Sequence, residues 1–314
     1  MKVTHPIKAS SEETYGAHFA NFVTFIQKKY GKDNCFPLGG IVAFFNQLAN
    51  RNFVSTTLKT VRSVLREPLR VYFKDFDILL DPWITKIINY VKCRKPRPSK
   101  CFPSWNLDLV VRMLQDRQDN DLSFVFKKTL FIVFLACPYR VEEFKSISVS
   151  SSSFSPHHIS LRTHPLFSSK NQTDTFTPSP IVIQEFEENP TICPVALLNA
   201  YMNLTKAMCA DRGLARPDQL WIGLNGKPLN KNVIRKWVRD IIFLGDPNAK
   251  ENGSNVHSIR AQVATHLYAA GVSVKEIITA MNWKSSSTFT RYYSKLGIKS
   301  AVQAVLAGHR PPEV

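Results

Sequence analysis

Three prolines within eight residues, Pro96, Pro98 and Pro103, interrupt the lysine- and arginine-rich stretch VKCRKPRPSKCFPSW. A proline has no backbone N–H to donate, and its ring collides with the preceding helical turn, so no helix runs through this stretch. The segments on either side are therefore expected to fold separately. Residues 1–93 form one domain in this reading, 94–104 a basic linker and 105–314 a second domain. A chain of 314 residues is long for one core and comfortable with two.

The pattern before the linker is helical. Phe19, Phe22, Val23, Phe25 and Ile26 recur at helical intervals between Glu13 and Tyr30, and Gly31 supplies a stop. Ile41–Leu48 and Thr56–Leu65 repeat the pattern, with Lys59, Arg62 and Arg66 expected at exposed positions. Trp83–Val91 follows Pro82, which suits a first helical turn. After the linker, helices are expected over Leu107–Gln115, Phe124–Ala136, Pro194–Met208 and Asn232–Phe243. His158–Arg162 and Pro180–Glu185 alternate as strands do, around a Ser-, Asn- and Thr-rich turn. The fold class is mostly α with a small β-sheet.

The chain carries 41 Lys and Arg against 24 Asp and Glu. Such an excess repels itself unless a polyanion neutralises it, and nucleic acid is the commonest such partner. None of the six cysteines forms a C-x-x-C pair and the histidines show no ligand spacing, so no metal site and no disulfide framework is expected. The first residues lack the apolar stretch of a secretory signal, and the run Leu130–Cys137 is far too short to cross a bilayer. A soluble intracellular protein is the expectation.

The residues that carry chemistry cluster towards the C-terminus. In VHSIRAQVATHLYAAG, Val256, Ile259, Val263 and Leu267 make an apolar stripe that Gly271 closes. His257 and Arg260 stand three apart and so project in the same general direction. Ser273-Val274-Lys275-Glu276 is a capping box opening a second helix to about Asn282. Trp283 follows, and then Thr288-Phe289-Thr290-Arg291-Tyr292-Tyr293. Taken singly, each has a plainer reading: a surface pair for His257 and Arg260, core for Trp283, packing against Phe289 for the tyrosines. Earlier, Arg140 stands three residues before Glu143, where it could simply be an ion-pair partner, and Lys170 lies in the turn between the two strands.

Together and in this order, Arg140, Lys170, His257, Arg260, Trp283 and Tyr292 or Tyr293 resemble the catalytic domain of the tyrosine recombinase (phage-integrase-like) family. The Pro-rich linker ending in Trp105-Asn106-Leu107, the segment Cys193-Pro194-Val195-Ala196-Leu197 and the TFTRYY segment are similar to the recombinases of DIRS-type retrotransposons and related eukaryotic mobile elements. The likeness spans roughly residues 94–297. It departs in two respects: Pro138-Tyr139 precede Arg140, where relatives often have a small residue, and the hairpin stretch that holds Lys170 is rich in Ser, Thr and Pro.

The resemblance implies a two-domain clamp on duplex DNA, a helical core-binding domain joined to an α/β catalytic domain. Arg140 and Arg260 would grip the non-bridging phosphate oxygens with permanent, bidentate charge. His257 would act as general acid or base, Lys170 as general acid for the leaving oxygen, and Glu143 would orient Arg140 or His257. Trp283 would donate to the phosphate or buttress the nucleophile's helix. The nucleophile is Tyr293 by the retroelement spacing and Tyr292 by that of many phage members. The product would be a 3′-phosphotyrosine, with no metal and no ATP. Lys28, Lys29, Lys59, Arg62, Arg66, Arg94, Lys95 and Arg97 are candidate phosphate contacts. A homo-oligomer, four protomers on two DNA sites, is implied, with Ile298–Leu306 docking on a neighbour or folding back on its own domain. The nucleus is expected for a eukaryotic element and the cytoplasm otherwise. A type IB topoisomerase-like enzyme and a non-catalytic DNA-binding descendant of a recombinase are the rival readings.

Overall fold

The computed structural model describes residues 9–31, 36–95, 105–117, 121–168, 180–251, 254, 256–281, 283, 286 and 289; side chains are not described at 9–13 or at His257. The chain divides into two compact units, Met1–Lys100 and Cys101–Val314.

The first unit consists of α1 (Ala9–Tyr30), α2 (Leu38–Asn50), α3 (Ser55–Tyr72) and α4 (Pro82–Arg94). Phe22, Ile41, Phe45, Leu58, Leu65 and Ile84 meet in its core. α4 starts where Asp81 accepts a hydrogen bond from the Ile84 N–H at 2.8 Å, with Pro82 in the first turn. α3 runs seven residues past the Leu65 end that periodicity suggests, straight through Pro68. Burial of Leu69 in the core and an Arg66–Asp77 ion pair at 3.2 Å hold the extra turns, offsetting the hydrogen bond that proline removes.

The second unit is built around α6 (Leu122–Ala136), which is apolar almost all round and buried along most of its length. α8 (Pro194–Ala210) and α9 (Lys231–Gly245) pack against it, and α5 (Leu107–Asp116) lies on α9. A three-stranded antiparallel sheet follows the order β1 (Ser153–Phe154), β2 (His158–Leu161), β3 (Ile181–Gln184). In its register Ile159 pairs with Ile183, and both are buried with Leu161 on the inner face. β2 and β3 fall within the stretches that alternation marked, whereas the two-residue β1 carries no such signal. The remaining helices are α7 (Val141–Lys145), α10 (Asn248–Glu251), α11 (Val256–Ala269) and α12 (Val274–Ala280).

Two tight spots set the packing. Gly245 ends α9 so close to α5 that an added Cβ would lie 2.6 Å from the Val110 Cα. Backbone cannot yield as a side-chain tip can, so Gly245→Ala is expected to cost about 1–3 kcal/mol. In a thermal melt that is a drop of roughly 3–10 °C, and an unchanged melt would mean the two helices slide apart freely. The second spot is Arg216, whose guanidinium donates to Thr205 Oγ1 at 3.0 Å and to the Pro217 and Leu220 carbonyls at 2.8 Å. It ties the loop before Trp221 to α8, and Trp221 stacks on Phe144 at 4.8 Å.

Candidate active site

Arg140 stands where α6 hands over to α7. The Cys137 N–H bonds the Val133 carbonyl at 2.9 Å, and the Tyr139 N–H bonds the Cys137 carbonyl at 2.6 Å around Pro138. A three-residue turn of that kind suits the fixed φ of proline. Tyr139, the bulky residue in place of a small one, is 3% exposed and belongs to the main core. Burial pushes its phenol far above the ordinary range, so it stays protonated. The turn thus seats Tyr139 inward and turns Arg140 to the surface.

Glu143 fixes Arg140 twice. One carboxylate oxygen accepts the Arg140 backbone N–H at 3.0 Å, and the other accepts Nη1 at 3.1 Å. The glutamate side chain is 6% exposed and the arginine 35%, so the anchor is dry and the guanidinium still reaches solvent. Glu142 meets Lys231 at 3.0 Å, linking α7 to α9. Arg140 is thus an ion-pair partner, as its plainer reading has it, and the pair gives it a set pose. Glu143→Gln keeps the volume but loses the charge. On the activity that the resemblance implies, strand cleavage is expected to fall roughly 10–100-fold, since a displacement of about 1 Å at a reacting group costs on that order. The melting temperature should move only slightly; unimpaired single-turnover cleavage would remove Glu143 from the site.

α11 lies between two cores. Val256 and Ile259 enter the main one, while Ala261 and Ala264 join Ile277, Met281, Trp283 and Phe289 in a smaller one. Arg260 is 9% exposed at the seam. Its Nη2 donates to the Met281 carbonyl at 2.6 Å, and its guanidinium lies 5.9 Å from the centre of the Trp283 ring. Met281 caps the C-terminus of α12, where carbonyls lack helical partners and carry partial negative charge, so a cation is well placed there. The Ser273–Glu276 capping box forms as its spacing implies, with reciprocal bonds of 3.3 and 3.1 Å.

A further set of residues positions α11 without any signal in the sequence. Trp105, at the end of the proline-rich stretch, donates its indole N–H to Ser258 Oγ at 2.9 Å, and its carbonyl accepts from Gln262. The Asn106 N–H next to it bonds Asp246 at 2.8 Å. Ser258 follows His257 directly, so this latch sets the helix turn that bears His257 and Arg260.

The structure thus brings Arg140 to Glu143, and Arg260 to Trp283. Trp283 is core, 7% exposed, as its plain reading has it, and it also underlies Arg260. The backbone of His257 belongs to α11. Lys170, in the connection between β2 and β3, lies outside the described residues, as do Tyr292, Tyr293 and Ile298–Leu306. Phe289, three residues before Tyr292, is buried and meets the Tyr268 ring at 5.3 Å.

In the first unit Lys28, Lys29, Lys59, Arg94 and Lys95 are exposed, and Arg97 lies outside the described residues. Arg62 and Arg66 require correction: both are half-buried rather than exposed. Arg62 donates to Thr85 at 3.4 Å and Arg66 pairs with Asp77, because the extended α3 brings them against α4 and the 73–81 segment. Among the described residues no cluster of His, Cys, Asp and Glu suits a metal ion, and no helix is long and apolar enough to cross a membrane.

The fold has known counterparts. XerH site-specific recombinase bound to palindromic difH substrate, in a post-cleavage complex, is similar over 94% of this chain and 79% of that one, at 13% identity and a TM-score of 0.62. The Tn1549 transposon integrase in complex with transposon right end DNA is similar over 97% and 95%, at 11% identity and 0.60. A lambda integrase tetramer bound to a Holliday junction is similar over 92% and 73%, at 13% identity and 0.53. Such identities speak to the fold alone. No curated protein sequence matches the chain. The phage integrase family profile, however, matches residues 108–297, which include Arg140, His257, Arg260 and both tyrosines. The chain belongs to the phage integrase family of tyrosine recombinases.

Proposed function

We propose that this chain is the site-specific recombinase, or integrase, of a mobile element, cutting and rejoining duplex DNA through a tyrosine. The observation that carries the reading is the anchoring of the two arginines. Glu143 holds Arg140 from a dry carboxylate, and the Met281 carbonyl holds Arg260 at the end of a helix. Guanidiniums held in this way meet a phosphate without first being ordered, which is where most of the catalytic gain from such groups originates.

The chemistry then follows by transesterification. The phenol oxygen of Tyr293 attacks the phosphorus and its proton passes to His257. Arg140 and Arg260 neutralise charge building on the non-bridging oxygens. The bond to the 5′-oxygen breaks, and Lys170 protonates that oxygen as it leaves. The 3′-phosphotyrosine keeps the bond energy, so the reverse step reseals the strand with no other energy source. The similarity of three segments to DIRS-type retrotransposon recombinases supports a eukaryotic mobile element as the source and the nucleus as the place of action. Assembly as a tetramer on two DNA sites accords with the lambda integrase counterpart, a tetramer on a Holliday junction.

A duplex nicked beside the cleavage site tests the reading, because loss of the short 5′-OH fragment traps the intermediate. The expected result is a covalent protein–DNA adduct on a denaturing gel. Its absence across a library of candidate element ends would overturn the assignment. Relaxation of a supercoiled plasmid with no strand exchange would make the chain a topoisomerase instead.

A further inference from the structure

Trp105 closes the proline-rich stretch, and its ring lies buried in the main core, 6.1 Å from that of Phe131 on α6. A ring in that place needs no nitrogen to fill it. Yet the indole N–H, the one polar group of the side chain, is bonded to Ser258 Oγ at 2.9 Å. Ser258 is itself wholly buried, in the first turn of α11. Alanine forms helix better and brings no hydroxyl to desolvate, so packing alone gives no reason for a serine there. Two buried polar groups that an apolar contact would do without are thus spent on each other.

A second bond makes the grip directional. The Gln262 side chain, one helical turn beyond Ser258, donates to the Trp105 carbonyl. At about 100° per residue, positions 258 and 262 lie within roughly 40° of each other around the helix. Positions 257 and 260 lie within roughly 60° of each other, and about 150° away from that pair. Trp105 therefore holds α11 by the side opposite the one that bears His257 and Arg260. One bond leaves a helix free to pivot about it, whereas two on successive turns fix its roll and its slide together. The holder is fixed in turn. The Asn106 N–H bonds one carboxylate oxygen of Asp246 at 2.8 Å, the other accepts the Asn248 N–H at 3.1 Å, and the Asn106 side chain caps α5.

We infer that Trp105 is a positioning residue for strand cleavage, acting through Ser258 and Gln262 on the roll of α11; the inference rests on the recombinase reading. A roll of about 10° moves a group roughly 6 Å from the helix axis by about 1 Å. At a reacting group such a displacement costs up to ~10²-fold in rate. Affinity is a separate matter, because Trp105 and Ser258 are buried and offer DNA no surface.

The test sets two measurements on the full chain side by side: affinity for an uncleaved duplex by fluorescence anisotropy, and the single-turnover rate of adduct formation on the nicked duplex. Ser258→Ala strips one hydroxyl and takes that acceptor from the indole N–H. Trp105→Phe keeps an aromatic ring and drops the N–H. Each is expected to slow adduct formation roughly tenfold, with the dissociation constant within about twofold of wild type. Because both remove the same bond, Trp105→Phe/Ser258→Ala should be no slower than the slower single variant. Ser258→Ala/Gln262→Leu frees both turns of the helix and should lose roughly 10²-fold. Wild-type rates in both single variants would overturn the inference. So would parallel losses of rate and affinity, the mark of a packing defect, or losses that multiply in Trp105→Phe/Ser258→Ala, since the two residues would then act apart. If Trp105→Phe fails to fold, Ser258→Ala and Ser258→Ala/Gln262→Leu decide by the same rate and affinity criteria. A wild-type chain that forms no adduct defeats the recombinase reading and takes this inference with it. A wild type that forms the adduct, matched by its variants, defeats the inference alone.

Discussion

Tyr293→Phe is expected to abolish the covalent adduct on a nicked substrate, by at least ~10⁴-fold in single-turnover rate. The substitution removes one oxygen, and that oxygen is the only atom of the side chain that forms a bond to phosphorus. Nothing else in the proposed mechanism is disturbed, so binding to uncleaved duplex should be unaffected. Tyr292→Phe is the necessary control, since the two phenols are adjacent and both fit a family spacing. It should retain the adduct within several-fold. The reverse outcome would move the nucleophile by one residue and favour the phage-type spacing; adduct formation by both single variants would remove this pair from the chemistry.

Arg260→Lys carries the second large effect. Charge is conserved, yet the rate of cleavage should fall roughly 10²–10³-fold, the range seen when one transition-state donor is lost. The reason is geometric. The guanidinium donates to the Met281 carbonyl and lies over the Trp283 ring. A lysine ammonium is a single point on a flexible stem. The carbonyl at the end of α12 attracts it, and a charge held there cannot at the same time clasp a phosphate bidentately. Because the deficit lies in the transition state, the dissociation constant for DNA should change much less than the single-turnover rate. Equal losses in both would make Arg260 an ordinary binding residue, and wild-type cleavage would show that charge alone suffices.

Much of this architecture is legible in the sequence because it is local. The helical stripes of α4 and α9, the apolar run of α6, the Asp81-Pro82 start and the Ser273–Glu276 box depend on residues within a turn or two of each other. The two longer strands show for the same reason, through alternation over four residues. What stays hidden depends on distant partners or on too few residues. α7 is five residues long and owes its existence to Glu143 reaching back to Arg140. α3 passes Pro68 only because Leu69 finds a core and Arg66 finds Asp77. The same packing half-buries Arg62 and Arg66, against an expectation built on periodicity alone. Trp105 and Ser258 are 153 positions apart, and no spacing rule connects them. The candidate site divides along this line. The types and order of its residues are local facts of sequence; the groups that hold them still come from elsewhere in the fold.

Under the proposed mechanism, the bond from Arg260 to a main-chain oxygen at the end of α12 ties the competence of the site to that helix. A nuclease that can cut before it can reseal is dangerous to its host. On the proposed reading, the pose in which Arg260 would grip a phosphate depends on the small core of Ala264, Ile277, Met281 and Trp283 that sets the Met281 carbonyl in place. By the same reading, a chain in which that core has not closed is expected to cleave poorly.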